Sequence, residues 1–155
     1  MTLISRFLAS DDVVAGLDVA DKDGALEAAA SMAARRHDID QALVYRALWR
    51  REQMGSTGLG HGIAVPHARI PGIGQPIVLL LRTKNPIAFG APDRKPVSVL
   101  FVILVPENAN DEHLQILAAA STLFSEPAFR ERLESAADPA AIQRLFGEAA
   151  SPNAQ

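Results

Sequence analysis

The fold is decided by a nine-residue apolar run, Val97-Ser98-Val99-Leu100-Phe101-Val102-Ile103-Leu104-Val105, which Pro106 closes. A second run is Ile77-Val78-Leu79-Leu80-Leu81, and we expect a shorter strand between the two, at about residues 87–89. Apolar residues at consecutive positions predict strands that are covered on both faces. Both runs are far shorter than the roughly 20 residues that a helix needs to cross a bilayer, so they are predicted to form the core of a soluble domain.

Two helices are predicted before these strands. Residues 24–36 carry apolar side chains at helical spacing, and Asp23 is the expected N-cap. A second helix is expected after Asp38, with Gln41 three positions later as in a capping box. Its apolar stripe ends before Gly55, a residue type that commonly terminates helices.

Three more helices are predicted after the strands. The first covers residues 111–124 and is apolar on most sides, so we expect it to be heavily buried. The second is short and starts at Glu126-Pro127, and the last spans residues 139–146. Helices that flank strands buried on both faces indicate a layered α/β fold. We assign residues 1–147 to a single domain and expect residues 148–155 to form a disordered tail.

Composition excludes several classes of function. The net charge is -3 and the arginines are scattered along the chain, which argues against nucleic acid as a partner. The absence of cysteine removes disulfides, thiolate zinc sites and cysteine nucleophiles. The first residues lack the basic and apolar regions of a signal peptide. We therefore expect a cytoplasmic protein without membrane insertion.

The densest chemical signal is the glycine-rich stretch Gly55-Ser56-Thr57-Gly58-Leu59-Gly60-His61-Gly62-Ile63-Ala64-Val65-Pro66-His67. Glycines allow a tight backbone whose N–H groups converge, which suits an anion. Pro66 restricts the backbone just before His67 and should hold the imidazole in place. The stretch has no Gly-Lys-Ser/Thr ending, which disfavours a nucleotide site.

His67 has the chemistry of a phosphoryl acceptor. A neutral imidazole is a good nucleophile near pH 7, and the phosphoramidate that it forms is labile enough to pass the group onward. The acceptor site needs hydrogen-bond donors for the phosphoryl oxygens. The candidate donors are Arg51, Ser56, Thr57 and His113, the last of which falls in the first turn of a predicted helix.

At these residues the sequence resembles the fructose/mannitol-type enzyme IIA domains of the bacterial phosphoenolpyruvate-dependent phosphotransferase system. The resemblance runs from about residue 23 to residue 146, and the later segments look especially like the nitrogen-regulatory branch. Its signature lies in Arg51-Glu52, Ser56-Thr57-Gly58-Leu59-Gly60, Gly62-Ile63-Ala64-Val65-Pro66-His67, Phe89-Gly90-Ala91-Pro92-Asp93, Val97 to Pro106 and His113-Leu114-Gln115-Ile116-Leu117-Ala118. The chain departs from the family at His61, where relatives commonly carry asparagine.

The resemblance implies a three-layer α/β fold in which a mixed sheet packs between helices. It implies His67 as the phosphorylated residue, with Arg51 and His113 assisting transfer and Ser56 and Thr57 contacting phosphate. The implied activity is that of a phosphotransferase whose donor is a phosphohistidine carrier of the HPr type. In the regulatory branch the phosphorylation state is itself the signal, read by target proteins, and no cofactor or metal is expected.

Three alternatives stay open. The first is an enzyme IIA component that passes phosphate on to a sugar transporter. The second is a zinc hydrolase that uses His61, His67 and His113, although no His-x-x-x-His spacing is present. The third is a binding module that docks without phosphotransfer. We expect Leu59 and Ile70 to contact the carrier, and we expect His37 and His61 to face solvent.

Overall fold

The computed structural model describes residues 3–109 and 111–149, without the side chains of residues 112, 113 and 149. Within this part of the chain, five α-helices surround six strands, and a short 3₁₀ helix, Ser10–Asp12, precedes the first strand. The helices are α1 (Lys22–His37), α2 (Gln41–Gln53), α3 (Asp111–Phe124), α4 (Pro127–Ser135) and α5 (Pro139–Ala149). The strands are β1 (Val13–Leu17), β2 (Gly58–Gly60), β3 (Ile63–Ala64), β4 (His67–Ile70), β5 (Ile77–Ile87) and β6 (Val97–Pro106).

The strands form one mixed sheet. Its order is β1-β5-β6-β3-β2, and β4 also pairs with β6. β5 runs antiparallel to β6, whereas β3 and β4 run parallel to it, and β1 runs parallel to β5. Each face of the sheet packs on helices, α1 and α2 on one face and α3 to α5 on the other. The predicted three-layer α/β fold with a mixed sheet is confirmed.

Strand β6 supplies side chains to both cores. Val102 and Leu104 pack in the cluster under α1 and α2, and Phe101 and Ile103 pack in the cluster under α3 to α5. This division follows from the alternation of side chains along a strand. The Phe101 ring lies 5.4 Å from the ring of Phe146, which anchors α5 to the sheet.

The helix starts differ from the prediction by two residues. The N-cap of α1 is Asp21, whose carboxylate accepts a hydrogen bond from the Gly24 amide, and Asp23 lies in the first turn. The N-cap of α2 is Asp40, because Asp38 adopts a left-handed conformation (φ 55°) and ends α1. Several Asp residues lie near each helix start, and Asp is a favoured residue type at an N-cap. Which of them is the N-cap depends on the backbone conformation at that position.

The strands were predicted incompletely. β5 continues to Ile87, which pairs with Val97, so there is no separate strand at residues 87–89. β1 was not predicted, and the glycine-rich stretch contains β2, β3 and the start of β4. These strands are two to five residues long, too short to show a clear periodic pattern. They depend less on local propensity than on pairing, β1 with β5, β3 and β4 with β6, and β2 with β3.

The last helices differ in extent and burial from the prediction. α3 covers the predicted residues but leaves one side exposed, including Gln115 and Ala118, so it is not heavily buried all round. α5 continues through Ala149, and residues 150–155 lie outside the described residues, so the predicted tail stays a prediction. Among the described residues, no helix is long and apolar enough to cross a membrane.

A left-handed turn joins β2 to β3. Gly60, His61 and Gly62 have φ values of 91°, 59° and 82°, a conformation that favours glycine and is open to asparagine. The backbone N–H of His61 donates to the Asp93 carboxylate over 2.9 Å, and the N–H of Lys95 donates to the other oxygen over 3.0 Å. Asp93 therefore ties the glycine-rich stretch to the loop before β6.

The Asp93 contact predicts a pH-dependent stability. The N–H groups of Lys95 and His61 hold the pKa of the Asp93 carboxyl below its usual value of 3.8. Because the pKa of Asp93 is lower in the folded than in the unfolded protein, its ionised carboxylate stabilises the folded state at pH values above the unfolded-state pKa. This stabilisation is lost as the pH falls through the folded-state pKa. We expect Asp93→Asn to lower the free energy of unfolding at neutral pH, by an amount that shrinks below pH 3.8 in urea titrations. Asp18→Asn, at an exposed position, is the control, and a pH-independent difference at Asp93 would refute the assignment.

Gly58 packs against the loop before β6. A Cβ at this position would lie 2.7 Å from the Cβ of Ala91 and 3.0 Å from its Cα, which is closer than atoms in van der Waals contact. The absence of a side chain therefore lets β2 approach that loop.

We expect Gly58→Ala to destabilise the protein by about 1–3 kcal/mol through this overlap. Gly74→Ala is a matched control because a Cβ added there would meet no atom within 4 Å, and it should be neutral or slightly stabilising. The two unfolding curves in urea measure the difference. Equal stabilities would contradict the steric explanation, and the double variant with Ala91→Gly should recover part of the loss.

Candidate functional site

His67 opens β4 beside a cavity of about 590 Å³. β4 pairs in parallel with β6, and His67 lies in register with Ile103, so both side chains are on the face of the sheet that carries α3. The cavity is open to solvent between α2, β4, β6 and α3. Its lining residues are Ala47, Arg50, Arg51, Met54, His67, Ala68, Arg69, Ile103, Val105, Leu114 and Leu117.

The imidazole of His67 is held by one of its two nitrogens. Nδ1 lies 2.8 Å from the backbone carbonyl oxygen of Val65. A carbonyl only accepts hydrogen bonds, so Nδ1 must carry the proton in the neutral ring. The lone pair of the neutral imidazole is then on Nε2. This geometry presets the tautomer in which Nε2 is the nucleophilic atom.

Three arginines make the cavity cationic. Arg51 lies in the last turn of α2, is half-buried, and donates from Nη1 to the carbonyl of Gly55 over 2.8 Å. Arg69 is exposed and donates to the carbonyl of Glu107 over 3.1 Å, and Arg50 is also exposed. The structure thus brings the predicted pair Arg51 and His67 to one cavity. Guanidinium groups beside an open nucleophilic nitrogen suit a phosphoryl group.

Ser56 and Thr57 lie between α2 and β2 and do not line this cavity. The Ser56 hydroxyl oxygen accepts a hydrogen bond from the Gly58 amide over 3.0 Å. Thr57 is buried, and both its amide and its hydroxyl donate to the carboxylate of Glu52. Glu52 was not predicted to act at the site. Its sequence signal was its place in the Arg51-Glu52 pair of the family signature, because its spacing of five residues from Thr57 follows no periodic pattern.

The other histidines are placed differently. The backbone of His113 is in the first turn of α3, as predicted, but its side chain lies outside the described residues. His61 is exposed, as expected, and does not line the cavity. His37 is half-buried and lies 2.9 Å from the buried carboxylate of Asp12, so the expectation that it faces solvent was wrong. In the part of the chain that the structure describes, no three His, Asp or Glu side chains are grouped as metal ligands.

Apolar side chains surround the cavity mouth. Met54 is 80% exposed and Leu114 is 50% exposed, an unusual degree for large apolar residues beside a polar site. Leu59 is also exposed, as expected of a docking residue, but Ile70 is fully buried under α1 and α2. The prediction that Ile70 contacts a carrier was therefore wrong, because alternation in β4 turns Ile70 away from the face that carries His67.

The chain is similar in sequence to known proteins. The model of the family described as "Phosphoenolpyruvate-dependent sugar phosphotransferase system, EIIA 2" matches residues 6–149. The chain is 39% identical over 125 residues to a nitrogen regulatory protein of Pseudomonas aeruginosa, with 80% of this chain and 81% of that protein covered. It is also 39% identical over 132 residues to the fructose-specific EIIA component of a phosphotransferase system in Haloferax volcanii, with 83% and 84% covered.

A solved structure shows the same fold. The nitrogen regulatory protein IIA-Ntr from Neisseria meningitidis superimposes with a TM-score of 0.89 at 37% identity, covering 94% of this chain and 99% of that one. The resemblance to the nitrogen-regulatory branch is thus confirmed in sequence and in structure. From the family match over nearly the whole length, the chain belongs to the EIIA 2 family of the phosphoenolpyruvate-dependent sugar phosphotransferase system.

Proposed function

We propose that the chain accepts a phosphoryl group on Nε2 of His67 from an HPr-type phosphohistidine carrier in the cytoplasm, and that its phosphorylation state is a regulatory signal read by target proteins. Family membership supports phosphoryl transfer in general. The observation that carries the finer proposal is the His67 ring, which donates from Nδ1 to the Val65 carbonyl beside the arginine-lined cavity.

The proposed step exchanges one nitrogen–phosphorus bond for another. The carrier's phosphorylated imidazole reacts with its other nitrogen protonated. The lone pair of Nε2 attacks phosphorus in line, the bond from phosphorus to the carrier's nitrogen breaks, and that electron pair returns to the carrier, whose ring leaves as neutral imidazole. His67 keeps its Nδ1 proton and becomes a phosphoimidazolium, so no proton has to be transferred. The hydrogen bond to the Val65 carbonyl strengthens as the ring gains positive charge, and this favours the transition state over the ground state.

The arginines are the proposed ligands of the phosphoryl oxygens. Arg51 is the principal candidate, because it lines the cavity with His67 and its Nη1 bond to Gly55 orients the guanidinium. Ser56 keeps a hydroxyl proton to donate, whereas the Thr57 hydroxyl donates to Glu52. Neither residue lines the cavity with His67, but Ser56 directly follows Gly55, whose carbonyl accepts from Arg51, so of the two we retain only Ser56 as a proposed phosphate contact. His113 stays in the proposal as an assisting residue in the first turn of α3.

The regulatory output has one competitor. Relatives named nitrogen regulatory protein support the signalling role, and the fructose-specific relative supports transfer to a sugar transporter. The two roles differ in the fate of the phosphoryl group. Stable retention by the chain in the presence of sugar-specific EIIB domains supports signalling, and rapid loss to one of them supports transport.

We expect His67→Ala to abolish phosphate acceptance without unfolding the protein, because the half-buried ring is an acceptor and not a core residue. The assay is incubation with phosphoenolpyruvate, enzyme I and an HPr-type carrier, followed by mass measurement before and after acid treatment. His61→Ala is the matched control, since it removes an exposed imidazole from the same glycine-rich stretch. Long-range ¹⁵N NMR of the product should place phosphorus on Nε2. Acid-labile phosphate on the His67→Ala variant would refute the proposal.

We expect Arg51→Ala to lower kcat/KM for phosphate acceptance by about 10²-fold, as when one oxyanion donor is removed. Arg51→Lys keeps the charge but loses the forked geometry and should recover only part of the rate. The control is Arg46→Ala, because Arg46 is exposed on the same helix and does not line the cavity. Initial rates of single-turnover transfer from the phosphorylated carrier measure all three variants. An Arg51→Ala rate equal to that of Arg46→Ala would remove Arg51 from the site.

A further inference from the structure

The carboxylate of Glu52 is a buried charge at the end of α2. Its side chain is 1% exposed, and its nearest cation is Lys22, whose Nζ lies 3.0 Å from Oε1. The amide of Thr57 donates to Oε2 over 3.1 Å, and the Thr57 hydroxyl donates to the same oxygen. A buried carboxylate is stable only when it is paired and hydrogen-bonded, and these contacts meet that requirement.

A row of hydrogen bonds leads from this carboxylate to the proposed phosphoryl acceptor. The carbonyl of Thr57, held in place by Glu52, accepts a hydrogen bond from the Val65 amide over 2.9 Å. The carbonyl of Val65, a buried residue, then accepts the Nδ1 proton of His67 over 2.8 Å. Glu52 does not line the cavity, so its influence on the site passes through Thr57 and Val65.

We propose that Glu52 is a positioning residue for phosphoryl transfer, which fixes the Nδ1-protonated tautomer of His67 and thereby presents Nε2 to the cavity. The kinetic part of this inference rests on the proposed function of His67. The tautomer part concerns the resting protein alone. Orienting groups of this kind have large effects in other enzymes, because a ring in the wrong tautomer offers a proton where a lone pair is needed.

A carboxylate is required here for a geometric reason. Both Thr57 groups are donors, and Lys22 is a third, so the partner must accept at least three hydrogen bonds. Glutamine has one acceptor oxygen, and its NH₂ group would face either a Thr57 donor or the ammonium of Lys22. Glu52→Gln therefore keeps the volume of the side chain but loosens Thr57, the Val65 carbonyl and the acceptor for Nδ1.

The test measures the His67 tautomer by long-range ¹H–¹⁵N NMR in the unphosphorylated chain. The parent should show Nδ1–H, and Glu52→Gln should show a mixture with a substantial Nε2–H population. Thr57→Val, which keeps the shape and removes the hydroxyl donor, should shift the tautomers in the same direction by a smaller amount. Thr57→Ser restores the donor and should return the parental spectrum. Glu27→Gln, at an exposed position of α1, is the matched control for loss of one negative charge.

Transfer kinetics provide the second readout. We expect Glu52→Gln to lower kcat for acceptance from the phosphorylated carrier by about 10-fold or more, with little change in KM, because the buried residue does not contact the carrier. A folded Glu52→Gln with parental tautomers and kcat would overturn the proposal. If Glu52→Gln fails to fold, parental tautomers in Thr57→Val would overturn it as well. If the parent accepts no phosphate, the function proposed for His67 fails, while the tautomer measurement still decides the role of Glu52.

Discussion

Strand β6 lies between two helical layers, and this position constrains every other element of the fold. It pairs with β5 on one edge and with β3 and β4 on the other, and its side chains alternate between the two cores. A strand that is covered on both faces tolerates no polar side chain in its centre, which explains its nearly unbroken apolar sequence. The short strand β4, which begins with the proposed acceptor His67, is held in place by pairing with β6.

The candidate site combines a rigidly held imidazole, the proposed acceptor, with a less constrained surface. Parallel pairing of His67 with Ile103 and the bond from Nδ1 to Val65 fix the ring on the sheet. The arginines near the His67 ring belong to α2 and β4. The exposed Met54 follows the last residue of α2, and the exposed Leu114 lies in the first turn of α3. A fixed nucleophile with an exposed apolar and cationic border suits a group transfer between two proteins, in which the partner supplies the remaining wall of the site.

The glycine-rich stretch is more ordered than its composition indicates. Its composition predicts a loop that binds an anion through converging N–H groups, but the stretch contains two short strands and a left-handed turn. One of its hydroxyls and one of its amides bond to a buried carboxylate. The glycines serve close packing, as at Gly58 against Ala91, and the turn at residues 60–62, so their main effect is to bring the chain back to the edge of β6.

Local patterns in the amino-acid sequence were enough to predict the two long strands, the five helices to within a few residues, the layered fold and His67 as the acceptor candidate. Periodicity, cap residues and consecutive apolar positions are local properties, and they act before the chain folds. Long-range packing was needed to select the Asp that caps each helix, to form β1 to β4, to bury Ile70 and to pair His37 with Asp12. The tautomer of His67 and the contacts of Glu52 also depend on packing, since they rest on hydrogen bonds between residues whose spacing follows no period.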